Sequence, residues 1–254
     1  MTINAQSGQG RIRIFEDFGV TVQPVLSTVA PPIPLGAYLQ LVGQGLADTD
    51  SGAVRLDSDG LSGVTQFLTT NEDVHAAGVQ TATMFDVALM GTIVMEARVR
   101  MAALTAATCE AFIGFSDVNT DLAIIEGAIC HGDTVTLTLT ASDICGFLLA
   151  SDLTDADDWH AVFAGGTTTG VTASASNDLD DDAVAGEWQI LRLEIDPNGT
   201  ARWLIDGVLK KTVVGAVSTT TDLCFSALRE AKTAAVATMD VDYILIEANR
   251  DWNA

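Results

Sequence analysis

The sequence predicts an all-β protein, a two-layer sandwich of the jelly-roll kind, and three observations carry that prediction. Apolar residues recur with a period of two: Ile93, Met95, Ala97, Val99 and Met101 alternate with Thr92, Val94, Glu96, Arg98 and Arg100, the pattern of a strand with one face in a core. Hairpin turn signals separate such runs, chiefly Pro197-Asn198-Gly199 and Asp206-Gly207. Helical stripes are scarce, and only Ala-rich Met101 to Cys109 and Arg229 to Ala237 could each hold a short helix.

In chain order, residues 1–40 read as an extended N-terminal arm. Gln, Gly and Ser open it, and it holds Pro24, Pro31, Pro32 and Pro34, four of the five prolines in the chain. Proline fixes φ and removes a backbone donor, which disfavours a packed element. Such an arm either folds back on its own domain or reaches a neighbour, and the sequence leaves both open. The sandwich is expected over 41–254. Val135, Leu137 and Leu139 alternate with Thr134, Thr136, Thr138 and Thr140, a threonine-lined outer face typical of sheets. Leu191, Leu193 and Ile195 share one side of the next strand, the Asn-Gly turn follows, and Thr200 to Asp206 and Val208 to Val214 complete a three-strand meander. Trp203 falls on its core face with Ala201 and Ile205. Leu223 to Leu228 and Met239 to Glu247 close the series.

Composition then limits function. The 254 residues carry 12 Lys+Arg against 34 Asp+Glu, a formal charge of −22, which repels phosphate backbones and anionic membranes. No nucleic-acid or membrane partner is expected. The 48% hydrophobic content is too high for a disordered acidic chain, and stretches such as Ile144 to Ala150 fall far short of the roughly 20 residues of a spanning helix. Neither a basic leader nor an apolar run opens the chain, so synthesis in a cytoplasm is expected. Cys109, Cys130, Cys145 and Cys224 are widely spaced and read as reduced core residues.

Catalytic patterns do not assemble. His75, His131 and His160 make no HxH or HExxH pair. Gly114-Phe115-Ser116-Asp117-Val118 lacks the closing glycine of a nucleophile elbow, and Gly43-Gln44-Gly45 lacks the later glycine of a phosphate loop. Glu194 and Asp196 would share a strand face, as glycosidase carboxylates must, but the third position of a Glu-x-Asp-x-x-Glu strand is Gly199, so Asp196 reads as a turn residue. Asp240 and Asp242 have Leu245 at the third place. Asp48/Asp50, Asp57/Asp59, Asp152/Asp155/Asp157/Asp158 and Asp178/Asp180/Asp181/Asp182 are acid-rich, yet none matches a calcium loop, and they read as solvated charge. No catalytic, cofactor or metal residue is expected. Of the tryptophans, Trp159 and Trp188 are the candidate glycan contacts.

The segment EWQILRLEIDPNGTARWLIDGVLKKTV, residues 187–213, resembles the concanavalin A-like lectin/glucanase superfamily, with MEARVRM, AFIGFSD, ICGFLLA and MDVDYILIEA as further strands. The resemblance covers residues 85–248 and implies a concanavalin A-like jelly-roll β-sandwich, here with an extended N-terminal arm. It departs from the glucanases at the third acid and from the legume lectins at their calcium ligands.

The whole chain, with Arg11-Ile12-Arg13-Ile14-Phe15-Glu16-Asp17-Phe18 ahead of an acidic sandwich ending Asn249-Arg250-Asp251-Trp252, resembles tailed-bacteriophage head decoration (cement) proteins. That resemblance implies a non-enzymatic virion structural protein on the outer surface of the capsid. Its partners would be the major capsid protein and neighbouring copies of itself, often as a homotrimer. Arg11, Ile12, Arg13, Ile14, Phe15 and Phe18 would be the arm's contacts to capsid or neighbour. The alternative implied by the fold is a carbohydrate-binding adhesin or fibre module.

Overall fold

The computed structural model describes residues 10–19, 33–35, 37–42, 53–56, 63–104, 109–119 and 125–250. Pro24, Pro31, Pro32, Gly43 to Gly45, Asp48, Asp50, Asp57, Asp59 and Trp252 lie outside them. The strands are, in order, β1 Arg11–Glu16, β2 Ile33–Leu35, β3 Leu39–Val42, β4 Ala53–Leu56, β5 Thr65–Leu68, β6 His75–Thr81, β7 Phe85–Asp86, β8 Ile93–Met101 and β9 Cys109–Ser116. A π-helical turn, Ile125–Ile129, leads into β10 Cys130–Asp133, β11 Thr136–Leu139, β12 Ile144–Ala150 and β13 Asp158–Ala164. After a 3-10 turn, Ser174–Ser176, come β14 Asp178–Asp182, β15 Trp188–Ile195, β16 Ala201–Ile205, β17 Val208–Val213, β18 Asp222–Ala231 and β19 Thr238–Asn249.

Among the described residues these strands form two large antiparallel sheets. Sheet I runs β17-β16-β15-β8-β19-β5-β4, with β1 also paired to β19. Sheet II runs β14-β13-β12-β9-β18-β6-β3-β2, with β7 also paired to β18. The core lies between them and follows the period-two pattern. Ile93, Met95, Ala97, Val99 and Met101 of β8 are all buried, as are Leu191, Leu193 and Ile195 of β15, and they meet Phe115, Phe147, Trp159 and Phe225 of sheet II. Phe115 stands edge-on to Phe85 and Phe225 at centroid distances of 5.1 and 5.8 Å, the tilted packing that ring quadrupoles favour.

The hairpins form where the turn residues require them. Asp206 and Gly207 both have positive φ, 50° and 79°, and join Ile205 to Val208 in the mirror-image turn that matches strand twist. In Asp196-Pro197-Asn198-Gly199 the Gly199 N–H donates to Asp196 O at 2.8 Å, with Gly199 at φ 76°.

Several expectations change. Residues 11–16 and 33–35, read as arm, are strands: β1 pairs antiparallel with β19 from Arg11↔Asn249 to Glu16↔Ile244, and β2 pairs with β3, so a boundary at residue 40 cuts a hairpin. Ile14 drives the first of these by burying against the core, while Pro34 is tolerated because β2 is the edge of sheet II. No helix forms over Arg229 to Ala237, and none among the described residues of 101–109. Met101 ends β8, Cys109 begins β9, and Arg229–Ala231 completes β18 by pairing with both β6 and β9; alanine's helix propensity yields to the ladder and to burial. Val135 is 59% exposed rather than inward, since Thr134 has φ 55° and resets the alternation so that β11 begins at Thr136.

Strands β9 and β12 are buried at every position, which a sandwich sheet with one open face would not allow. The chain from Ile125 through Leu139 lies across the outer face of sheet II. There Ile125, Ile129, Cys130 and Leu137 pack with Phe112, Leu148, Val162 and Leu228 in a second apolar cluster.

Candidate functional site

That covered face holds a buried cluster of charged groups. Antiparallel pairing places Glu110 of β9 directly opposite Glu230 of β18, so the two side chains leave the sheet on the same face as neighbours. Both are 0% exposed. Glu230 accepts the backbone N–H groups of Ile125 and, at 3.1 Å, Glu126, where the π-helical turn begins. Glu110 Oε1 accepts the Gly132 N–H at 2.8 Å from β10. Lys232 Nζ lies 3.3 Å from Glu110 Oε1, 2.7 Å from Asp152 Oδ2 and 3.1 Å from Gly132 O. Burial pushes the Glu110 carboxyl up to about 8, against the pull of Lys232 and the Gly132 N–H. Burial likewise raises Glu230 to about 7, against its two backbone donors. Glu110 Oε2 and His131 Nδ1 are buried and have no hydrogen-bond partner among the described residues.

Two acids on one sheet face are the raw material of glycoside chemistry. Here the cap closes over them. Sequence reasoning missed the pair because Glu110 and Glu230 are 120 positions apart, and only the β9–β18 ladder brings them together.

A second acidic group stands at the β13–β14 edge, where Asp155, Asp158 and Asp178 bring one carboxylate oxygen each within 4.8 Å of one another. Burial, the hydrogen bond with Asp182 and the charges of Asp178, Asp182 and Asp157 push Asp158 up to about 7. Two of the acid clusters seen in the sequence are thus joined into one by strand pairing.

The outer face of sheet I is different: a ladder of arginines alternating with acids. Arg98 pairs with Asp242 and Arg100 with Asp240, both at 2.6 Å. Arg192 lies between Glu96 at 3.1 Å and Glu194 at 2.8 Å, and Arg202 meets Asp196 at 2.6 Å. The carboxylates Glu194, Asp196, Asp240 and Asp242 are therefore partners of arginines on a sheet surface. Arg202 beside Asp196 holds that carboxyl below its ordinary value. Trp188 is half-buried on this face, with the Arg98 and Arg100 guanidinium carbons 4.6 and 4.7 Å from its ring centroid. Trp159 is 0% exposed and donates Nε1–H to Gln189 Oε1 at 2.9 Å, so it is a core residue and not a glycan contact.

The arm residues divide by alternation. Ile14 and Phe18 are buried in the chain's own core, Phe18 standing edge-on to Phe67 at 6.4 Å, and Ile12 is half-buried. Arg11, Arg13 and Phe15 face solvent; Arg13 pairs with Glu247 at 3.1 Å and Phe15 packs 6.0 Å from Tyr243. A cavity of about 300 Å³ opens beside Arg11, lined by Thr92, Val94, Glu247, Ala248 and Asn249. Among the described residues β1 pairs only with β19, so its other backbone edge carries no strand.

No protein-family model matches the sequence, and none of the curated proteins does. Solved structures do. A protein of unknown function from Shewanella oneidensis MR-1 is similar at 13% identity and TM-score 0.56, over 96% of this chain and 89% of that one. The endo-1,3-beta-glucanase from Streptomyces sioyaensis is similar at 14% identity and TM-score 0.56, over 98% and 100%. The Emp46p carbohydrate recognition domain is similar at 11% identity and TM-score 0.53, over 82% and 87%. A glucanase and a recognition domain on one architecture leave catalysis and binding both compatible with it. What the two-sheet topology and these likenesses establish is the fold: the chain is a concanavalin A-like jelly-roll β-sandwich.

Proposed function

We propose that the chain is a non-enzymatic virion structural protein, a capsid decoration protein that binds the outer shell and stabilises it. The observation that carries the reading is the cap. The face of sheet II that could present Glu110 and Glu230 to a substrate is packed with the chain's own Ile125, Ile129 and Leu137, and both acids are removed from solvent. A sandwich filled on that face serves as a rigid body that offers surfaces. One such surface is β1, whose second edge carries no strand among the described residues and whose Arg11, Arg13 and Phe15 face solvent, suited to strand addition by a neighbour. The major capsid protein and further copies of this chain, arranged as a trimer, are the partners in this reading. The glycan alternative rests on Trp188, which remains half-exposed at the surface of sheet I.

Quantitative mass spectrometry of purified virus particles from the source tests the proposal. A fixed ratio to the major shell protein supports decoration of the whole lattice. A handful of copies per particle favours the glycan-binding fibre reading, and absence from particles overturns the virion reading.

A further inference from the structure

The cap from Ile125 to Leu139 is held on sheet II by apolar packing and by a polar margin. At that margin three of its backbone N–H groups, from Ile125, Glu126 and Gly132, are accepted by only two side chains, Glu230 and Glu110. These stand opposite each other on neighbouring strands. The cation bound there is Lys232, which also serves Asp152. Three carboxylates against one ammonium leave excess negative charge in a water-excluded place when all are ionised, and buried like charges on adjacent residues repel strongly. The other titratable groups at the site do not cancel it. Glu126 of the π-helical turn adds negative charge, while the Cys130 thiol of β10 is driven well up by burial and by both glutamates. His131 of β10 stands next to Gly132 with Nδ1 buried. The Arg229 guanidinium is turned to Cys109 Sγ at 2.8 Å and Ala103 O at 3.4 Å, and Glu110 acts on it only as the smallest of its interactions, so it offsets the excess in small part.

We propose that Glu110 and Glu230 form a proton-operated latch on the cap, which holds while the pair keeps a proton and loosens when both carboxyls ionise. A carboxyl whose folded pKa is raised contributes its stability below the unfolded value, and that contribution is lost as pH rises through the folded one. With values of about 8 and about 7 for the two groups, the latch is closed in mild acid and opens on the alkaline side of neutrality. Opening uncovers Phe112, Leu148, Val162 and Leu228 together with the acid pair. The proton thus controls access to the face of the sandwich that the cap seals.

Hydrogen exchange of the full chain, read by mass spectrometry at about pH 6 and about pH 9 and corrected for intrinsic rates, tests the latch. Protection of 125–139 is expected to fall by about tenfold or more at the higher pH, as relief of one pKa unit implies. Residues 188–205 of sheet I, as an internal control, should keep theirs. Glu110→Gln retains a carbonyl to accept the Gly132 N–H but carries no charge, so only Glu230 titrates and the loss of protection across the same range should be clearly smaller than in wild type. Lys232→Met removes the cation that lowers both carboxyls, so it should raise their folded values further and enlarge the loss of protection at about pH 9. Equal wild-type protection at both pH values, or a Glu110→Gln protein that loses as much as wild type, overturns the proposal. If Lys232→Met misfolds by near-UV circular dichroism, the Glu110→Gln comparison alone decides.

Discussion

Trp203 and Trp159 each bury a full indole between the sheets and each give the ring N–H a partner, Gly146 O at 2.8 Å and Gln189 Oε1 at 2.9 Å. Truncation removes both the apolar area and the bond, and the sheets cannot collapse into the gap. Trp203→Ala should therefore cost about 3–5 kcal/mol of unfolding free energy in urea titrations. Trp188 stands half-buried on an open face with its ring beside Arg98 and Arg100, and Trp188→Ala should cost about 1 kcal/mol or less. Asp158 gives a pH-dependent case. Its carboxyl is raised to about 7 by burial and by acidic neighbours, so its ionised form opposes folding. The penalty is absent below the ordinary value of 3.8 and complete above about 7. Asp158→Asn should raise the Tm at about pH 8.5 and leave it nearly unchanged at about pH 4. A Tm that falls equally at both would mean that the carboxylate is needed for structure.

At the scale of elements, β1 and the Gly114/Gly146 contact make the sharpest statements. The β1 ladder to β19 is anchored by Ile14, 0% exposed. Ile14→Ala should weaken it by about 2–5 kcal/mol, and limited trypsin digestion should then cut after Arg11 and Arg13 faster than in the wild type. Unchanged cleavage would show that the strand is held by its backbone ladder alone. Gly114 of β9 and Gly146 of β12 face each other across the ladder. A Cβ on Gly114 would fall 2.4 Å from the Gly146 Cα and 2.5 Å from Cys145 O, both backbone atoms that cannot rotate away. Gly114→Ala should cost about 1–3 kcal/mol, read by thermal unfolding. The strands themselves were legible where alternation was clean, as in β8 and the β15–β16–β17 meander. Alternation gave no help in β9 and β12, which were read as strands through the resemblance, or in β18, read only over Leu223 to Leu228, because a strand covered on both faces shows no alternation to read.

For the molecule as a whole, charge is distributed unevenly. Arg13, Arg98, Arg100, Arg192 and Arg202 are matched with acids on one face of sheet I, while the chain totals −22. Net self-repulsion works against the compact state. Raising salt from about 0.02 to about 0.5 M, which shrinks the screening length to a few ångströms, should therefore raise the Tm. A falling Tm would show that the arginine ladder outweighs the repulsion.

The sequence by itself determined the architecture: period-two alternation, an Asn-Gly and an Asp-Gly turn, and the want of a helical stripe are local signals, and locally they specify an all-β sandwich. It also placed Asp196 at the Asn-Gly turn, because the position of Gly199 there is a matter of spacing. Tertiary structure alone decided three other things. It folded Arg11–Glu16 back onto β19, where composition could not choose between that and a neighbour. It brought Asp155, Asp158 and Asp178 into one cluster. It set Glu110 beside Glu230 under the cap. Each of these joins residues far apart in the chain, and register between distant strands is fixed by which faces the assembled core buries, a property that no local window of sequence contains.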